Sequence, residues 1–149
     1  MQSPTAPAAF WSVWLAAESV AVMLFGLVLV VAPGLARNSF ALLLYGSSGH
    51  IATFGVQAVA YISLLHAVLG AVMFGWGIAL FLIARGPFAR GERLGWRVVA
   101  ASVLAWFVPD SAFSVWSGFW PNAVLNLLFF FVFALPLPAT YRVFYAARA

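Results

Sequence analysis

The chain has 149 residues, of which 66% are hydrophobic and only 7% are charged. A water-soluble surface needs roughly a quarter or more of its residues to be charged, so this composition excludes a soluble globular protein. Lipid must therefore be the solvent for most of the chain. The absence of cysteine also excludes disulfides, thiolate metal ligands and cysteine nucleophiles.

The positive charge of the chain is explained by arginines at the ends of membrane spans. The net charge is +4, and all seven cationic residues are arginines that lie mostly at the ends of apolar stretches. In a soluble protein this balance would suggest nucleic acid, but at span ends it indicates topology signals and contacts with lipid headgroups. The sequence therefore predicts membrane lipids as partners, and no nucleic acid.

Four apolar stretches are long enough to cross a bilayer, which needs about 20 residues per helix. We place them at about residues 12–32, 57–84, 96–117 and 122–145. Residues 37–45 are too few to cross and mix polar with apolar side chains, so they predict a short interfacial segment between the first two spans. The sequence thus predicts one all-α domain over residues 1–149, a polytopic membrane protein built as a four-helix bundle.

The arginines also predict the orientation of the bundle, because positive charge is retained on the cytoplasmic side. The loop between the second and third spans holds four of them, namely Arg85, Arg90, Arg93 and Arg97. Placing this loop inside also places Arg142 and Arg148 inside and leaves only Arg37 outside. We therefore expect a multi-pass membrane protein with its N-terminus and C-terminus in the cytoplasm.

Small residues in the second span predict a packing face, since helices in lipid associate where small side chains allow close approach. They recur at intervals of four, at Ala67, Ala71, Gly75 and Ala79. Gly70 and Gly77 lie beside this small-residue ridge. We expect the ridge to contact a neighbouring helix, within the chain or in a homo-oligomer or larger membrane complex. The alternative is that small residues are merely common in membrane helices.

Polar side chains within the spans need partners, because an ionisable group costs roughly 2.5 to 3.5 kcal/mol at the centre of a membrane helix. Six lie toward the outer ends of spans two to four, namely His66, Asp110, Ser111, Ser114, Asn122 and Asn126. The three on the third span recur at intervals that place them on one side of that helix. We predict that the six form one polar layer, with Asp110 as the acceptor and His66 or Asn126 as the donor.

Two interpretations of this polar layer remain open. In the first, the layer is structural and selects one arrangement of the helices. In the second, His66 beside Asp110 relays protons or acts as a general base, which also requires a path for water or ligand. The catalytic residues are therefore unknown, and His66 and Asp110 are the candidates.

Glu18 lies about six residues into the first span, at the opposite level of the membrane from Asp110. Arg97 and Arg142 lie close to the inner boundary and are long enough to reach it. We expect a structural salt bridge with one of them. If no arginine reaches Glu18, a protonated side chain is favoured instead.

The sequence predicts no cofactor and no metal site. A metal site usually shows two histidines one helical turn apart or Glu-x-x-His pairs, and the chain has neither. Motifs for nucleotide binding and for serine hydrolysis are also absent. Trp76 and Trp106 lie near the middle of their spans and could stack on a flat hydrophobic ligand, although packed core aromatics are the commoner explanation.

Two stretches carry a resemblance to a known group of proteins. They are HAVLGAVMFGWGIALFLIARGPF at residues 66–88 and WRVVAASVLAWFVPDSAFSVWSGFWPNAVLN at residues 96–126. In the order of these features the chain resembles small four-helix membrane proteins of bacteria, loosely those of the DoxX-like group. The resemblance implies a four-helix fold in the cytoplasmic (inner) membrane of a bacterium, and it implies no settled activity and no functional residue.

Three functions are compatible with these features. The leading hypothesis is a non-catalytic accessory subunit or binder of a small hydrophobic ligand, because the chain lacks catalytic motifs. The second is a membrane enzyme acting on a lipid or isoprenoid-like substrate, with His66 and Asp110 as acid and base. The third is an oligomeric transporter of protons or small solutes that uses Glu18, His66 and Asp110 as successive positions.

Overall fold

A computed structural model of the chain describes residues 6–145. Within these residues the chain forms six α-helices, namely α1 (Ala6–Val31), α2 (Pro33–Tyr45), α3 (Val56–Ile83), α4 (Arg93–Trp116), α5 (Trp120–Ala134) and α6 (Pro136–Tyr145). A 3₁₀ turn at His50–Phe54 precedes α3, and a kinked π-helical turn at Ala84–Phe88, in which the backbone of Gly86 is not helical, follows it. No strand occurs between residues 6 and 145, so the prediction of an all-α fold is confirmed.

Four stretches are long and apolar enough to cross a membrane, as predicted. Their bounds are Ala9–Val31, Val56–Phe88, Arg93–Trp116 and Trp120–Tyr145. The fourth consists of α5 and α6, because Pro136 has no backbone N–H to continue the ladder of α5. The chain is therefore a multi-pass membrane protein. Of the arginines used to predict its orientation, Arg148 lies outside the described residues.

The two ends of the bundle differ in composition. One end carries the π-helical turn and the arginine-rich loop before α4, and we call it the arginine end. The other carries α2 and the turn between α4 and α5, and we call it the α2 end. Gly118 makes that turn possible, since its φ of 84° is a left-handed conformation that other residues rarely adopt. The turn makes α4 and α5 antiparallel neighbours.

The most extensive packing in the bundle is that of α1 against α3, which run antiparallel. A Cβ atom on Gly70 would lie 2.4 Å from the carbonyl oxygen of Gly26, and one on Gly77 would lie 2.9 Å from that of Ser19. Only glycine fits at Gly70 and Gly77 without a shift of one helix. Close backbone approach of this kind is what holds helices together in lipid, where burial of apolar surface gives no driving force.

This contact continues one step further, where the Ser12 hydroxyl donates to the carbonyl oxygen of Ala84 at 2.9 Å. We call the whole contact the small-residue seam; it joins Gly26 to Gly70, Ser19 to Gly77 and Ser12 to Ala84. The spacing on both helices is seven residues. Seven residues make almost two full turns, so all members of the seam stay on one side of each helix.

The predicted small-residue ridge is not the packing face within the chain. Ala71, Gly75 and Ala79 are exposed, and a Cβ atom on Gly75 would meet nothing within 4 Å. Residues four apart advance by about 40° more than a full turn at each step, so the ridge winds away from a straight partner. Gly70 and Gly77, which lie beside the ridge, make the contact instead.

Aromatic side chains close the arginine end. Phe88 is fully buried against Phe144, with ring centroids 4.9 Å apart. A Cβ atom on Gly95 would lie 2.4 Å from the backbone nitrogen of Phe88, so α4 begins in direct contact with the π-helical turn. The indole of Trp96 donates to the carbonyl oxygen of Leu137 at 3.0 Å and fastens α4 to α6.

The segment predicted as interfacial is the helix α2, which begins earlier than predicted. The chain turns at Ala32, whose φ and ψ of −134° and 54° are not helical, and Pro33 then starts α2. From there α2 packs on α3 and reaches the start of α5, where the rings of Tyr45 and Phe119 meet at 6.3 Å. It therefore crosses the α2 end of the bundle from one helix pair to the other.

We predict that Gly70→Ala lowers the free energy of unfolding by about 1–3 kcal/mol, because the new methyl group overpacks the seam. The matched control is Gly75→Ala, which adds the same methyl group where nothing lies within 4 Å. The control should leave stability unchanged or raise it by up to about 1 kcal/mol. Loss of helical circular dichroism on heating in detergent measures both. Equal effects of the two changes would contradict the seam.

Candidate functional site

Three of the predicted polar side chains form a hydrogen-bonded cluster between α4 and α5. Asp110 Oδ1 accepts from Asn122 Nδ2 at 3.1 Å and from Ser114 Oγ at 3.3 Å. Asn122 Nδ2 also donates to Ser114 Oγ at 2.8 Å. We call these three residues the Asp110 cluster. The hairpin turn at Gly118 positions the cluster, because it places the first turn of α5 beside the last turns of α4.

The neighbouring pair on these two helices is Ser111 and Asn126. Asn126 Nδ2 donates to Ser111 Oγ at 3.4 Å, and only 4% of Asn126 is exposed. The predicted stripe on α4 thus faces α5, and Asn122 and Asn126 meet it from the other side. The prediction that Asn126 donates to Asp110 is wrong, since its amide reaches Ser111 and the donor to Asp110 is Asn122.

His66 does not join the Asp110 cluster. Its Nδ1 lies 2.8 Å from the carbonyl oxygen of Ile62 one turn earlier in α3, and its ring meets Phe40 of α2 edge-on at 5.3 Å. The predicted hydrogen bond from His66 to Asp110 is therefore wrong. The physical reason is that α3 packs on α1 and α2, which leaves His66 on the other helix pair.

The hydrogen bond of His66 defines the state of its ring. A carbonyl oxygen only accepts hydrogen bonds, so the proton of the neutral ring lies on Nδ1. Nε2 then carries a free lone pair, and no donor to it occurs within residues 6–145. On the other helix pair, the second carboxylate oxygen of Asp110, Oδ2, likewise has no donor in the described part of the chain. Each helix pair thus presents one unused acceptor.

Three aromatic rings mark the middle of the bundle. The ring of Trp76 lies 6.2 Å from that of Trp106 and 6.0 Å from that of Phe133, so α3, α4 and α5 meet at this level. We call these three residues the aromatic floor. Nearby, Phe107 and Phe130 stack with ring centroids 4.3 Å apart.

The six residues of the predicted polar layer lie on the α2 side of the aromatic floor. At about 1.5 Å per residue, Asp110 is about 6 Å from the floor, Asn126 about 10 Å, Ser114 about 12 Å and His66 about 15 Å. The predicted layer therefore exists as a range of levels, but its members belong to two walls. One wall is α3, which carries His66, and the other is the pair of α4 and α5; α2 contacts both at this end of the bundle.

Arg37 of α2 adds a charge to the wall that holds His66. Its Nη1 donates to Ser63 Oγ at 2.8 Å, and Ser63 lies one turn before His66 on α3. This contact was not predicted from the sequence, in which Arg37 served only as the outer arginine. The available signal was the spacing of Ser63 and His66, which places both on one side of α3.

Glu18 has no arginine partner within residues 6–145. Both of its carboxyl oxygens are buried, and neither has a hydrogen-bond partner among the described residues. The predicted salt bridge is wrong, because Arg97 donates through Nε to the hydroxyl of Tyr145 at 3.4 Å, and Arg142 is exposed. The neighbouring Ser19 does not donate to Glu18, since its hydroxyl donates to the carbonyl oxygen of Leu15.

The site residues do not assemble into a metal centre. Among residues 6–145, no group of three or more His, Cys, Asp or Glu side chains lies close enough to hold a metal ion. The arrangement can instead offer hydrogen-bond acceptors and an aromatic surface to a small molecule. Comparison of the chain with protein-family models, with curated proteins and with solved structures found no match.

We predict that Glu18→Met raises the free energy of unfolding by about 1–3 kcal/mol, because it removes a buried polar group that has no partner. Glu92→Met is the control, since Glu92 is exposed and pairs with Arg90. Thermal unfolding of both variants in detergent measures the difference. Loss of stability in Glu18→Met would mean that Glu18 makes a favourable interaction in the native protein.

We also predict that Asn122→Ala destabilises the protein by about 1–3 kcal/mol, because Asp110 Oδ1 loses its donor from α5. Ser117→Ala is the matched control, since Ser117 is exposed and bonds to carbonyl oxygens of its own helix. Chemical denaturation in mixed micelles measures both changes. The cluster would be unimportant for stability if the two variants unfolded at the same denaturant concentration.

Proposed function

We propose that this protein is a non-catalytic membrane protein that binds a small amphipathic molecule between its two helix pairs. The observation that carries the proposal is that His66 and Asp110 lie on different helix pairs on the α2 side of the aromatic floor, and that each has one acceptor atom without a donor among the described residues. A ligand with an apolar body would lie against the floor, and its polar group would donate to Asp110 Oδ2 or His66 Nε2. Most small-molecule sites combine apolar walls with a few polar groups in this way.

The same geometry favours binding over catalysis. A catalytic acid and base must lie within hydrogen-bonding reach of the reacting group, and the base is usually oriented by a third group. His66 is oriented by the carbonyl oxygen of Ile62, but Asp110 is engaged with Asn122 on the other wall. The two side chains lie at different distances from the aromatic floor, about 15 and 6 Å. They suit two contacts along an elongated ligand.

Location and partners belong to the same proposal. We infer that the arginine end faces the cytoplasm, since arginines are concentrated there and, among residues 6–145, only Arg37 lies toward the α2 end. A bacterial inner membrane is part of the proposal through the resemblance. The ligand site would then open toward the outer half of the inner membrane. A role as accessory subunit follows if the ligand is shared with a larger complex or with further copies of the chain. The resemblance of residues 66–88 and 96–126 makes the DoxX-like group our proposal for the family.

The test is to purify the protein in mild detergent, incubate it with a lipid extract of its own membrane, and identify retained molecules by mass spectrometry. We expect one retained small molecule, and about tenfold less of it in Asp110→Asn, since a hydrogen bond to a charged group contributes roughly 1.5 kcal/mol or more. His66→Ala should reduce retention, whereas His50→Ala, at an exposed residue outside the site, should not.

Two results would overturn this proposal. Equal retention by wild type, Asp110→Asn and His66→Ala would place the ligand elsewhere or remove it. Consumption of a component of the extract by the purified protein alone, with loss of that activity in Asp110→Asn, would make the protein an enzyme.

A further inference from the structure

The arginine end holds a cluster of charged side chains that the proposed ligand site does not use. Arg93 and Arg97 lie one turn apart at the start of α4, and both contact Tyr145 near the end of α6. The guanidinium carbon of Arg93 lies over the Tyr145 ring, 5.4 Å from its centroid. Arg97 Nε donates to the Tyr145 hydroxyl at 3.4 Å. Tyr145 therefore contacts two guanidinium groups.

Both guanidinium groups are held through Nε alone. Arg93 Nε donates to the carbonyl oxygen of Phe144 at 3.1 Å, and Arg97 Nε is used on Tyr145. Their terminal Nη groups have no acceptor within residues 6–145. The Tyr145 hydroxyl accepts from Arg97, so its own proton remains free to be donated. The cluster thus offers several oriented donors and no acceptor of comparable strength.

No acidic side chain of the chain neutralises this pair. The sequence has three acidic residues, Glu18, Glu92 and Asp110. Glu92 pairs with Arg90, whose pKa is raised by that hydrogen bond and by the charge of the carboxylate. Glu18 lies within α1 without a partner in the described part of the chain, and Asp110 lies on the far side of the aromatic floor. Like charges one turn apart repel each other, so an external anion would stabilise the pair.

The surroundings indicate which anion would bind. Trp96 lies between the two arginines in sequence and packs edge-on against Tyr141 and Tyr145 at 5.8 and 5.4 Å. Tryptophan and tyrosine concentrate at the headgroup level of a bilayer. Beyond Arg97, α4 presents exposed apolar residues on the same side, including Leu104 and Val108. An acyl chain would lie along this face while its phosphate reaches the arginines.

We propose that Arg93, Arg97 and Tyr145 form a binding site for the phosphate group of an acidic phospholipid in the leaflet at the arginine end. The planar fork of each guanidinium matches two phosphate oxygens, and the Tyr145 hydroxyl supplies a further donor. Two fixed positive charges favour a lipid with a net negative charge over a zwitterionic one. The site lies at the opposite end from the proposed ligand site and stands independently of it.

The experiment measures lipid binding to the delipidated protein in a neutral detergent by native mass spectrometry. The probes are phosphatidylglycerol, phosphatidylcholine and glycerol phosphate. We expect one phosphatidylglycerol bound at least tenfold more tightly than either of the others. Equal binding of phosphatidylcholine would overturn the preference for acidic lipid, and equal binding of glycerol phosphate would make this a site for free phosphate.

The decisive variants change the same number of charges at two places on the same end. The double variant Arg93→Gln with Arg97→Gln should weaken phosphatidylglycerol binding at least tenfold. Arg85→Gln with Arg90→Gln, which removes two exposed arginines outside the cluster, should change it less than threefold. Equal losses in the two double variants would reduce the effect to net charge and overturn the site.

A conservative pair of variants keeps the test valid if the glutamine variant does not fold. Arg93→Lys with Arg97→Lys keeps both charges but loses the planar fork, and Tyr145→Phe keeps the ring but loses the hydroxyl. Each should weaken phosphatidylglycerol binding about threefold or more while helical circular dichroism stays unchanged. Undiminished binding in both would contradict the proposed geometry.

Discussion

The packing of α1 on α3 through the small-residue seam is the contact on which the rest of the structure depends. In lipid, apolar side chains gain nothing by leaving the solvent for a neighbouring helix, so close backbone contact must supply the attraction. Gly26, Gly70 and Gly77 allow that contact, and it holds α1 against α3. The hairpin turn at Gly118 makes α4 and α5 a second pair of neighbours. The bundle is consequently two pairs rather than four equivalent helices.

The two helix pairs are joined at the arginine end and at mid-depth. Phe88 and Phe144 close the arginine end, and the aromatic floor joins the pairs at mid-depth. Beyond the floor the backbones of α3 and α5 do not approach closely over any length, and α2 crosses from one pair to the other. The polar side chains His66 and Asp110 lie in that half, one on each wall.

Local patterns predicted much of this, because hydropathy and helical periodicity belong to single helices. The four spans and the polar side of α4 follow from such patterns, and Asp110 and Asn122 meet because a short turn makes their helices adjacent. The partner of His66 could not be predicted in this way, since it depends on which helices pack against α3. The seven-residue spacing of Gly70 and Gly77 could have predicted the seam. The ridge beside it, with small residues at intervals of four, predicts a packing face equally well, so the sequence alone does not choose between them.

The separation of Glu18 from the arginines follows from the cost of burying charge. An ion pair inside the bundle would require a guanidinium to leave the headgroup region, and its attraction to Glu18 repays that loss only with good geometry and further hydrogen bonds. Arg97 lies at the boundary, where its long stem lets the charged group reach water and lipid phosphate. Arg97 is therefore more stable at the interface than beside Glu18. The contact of Arg97 with Tyr145 is the arrangement expected from that difference in stability.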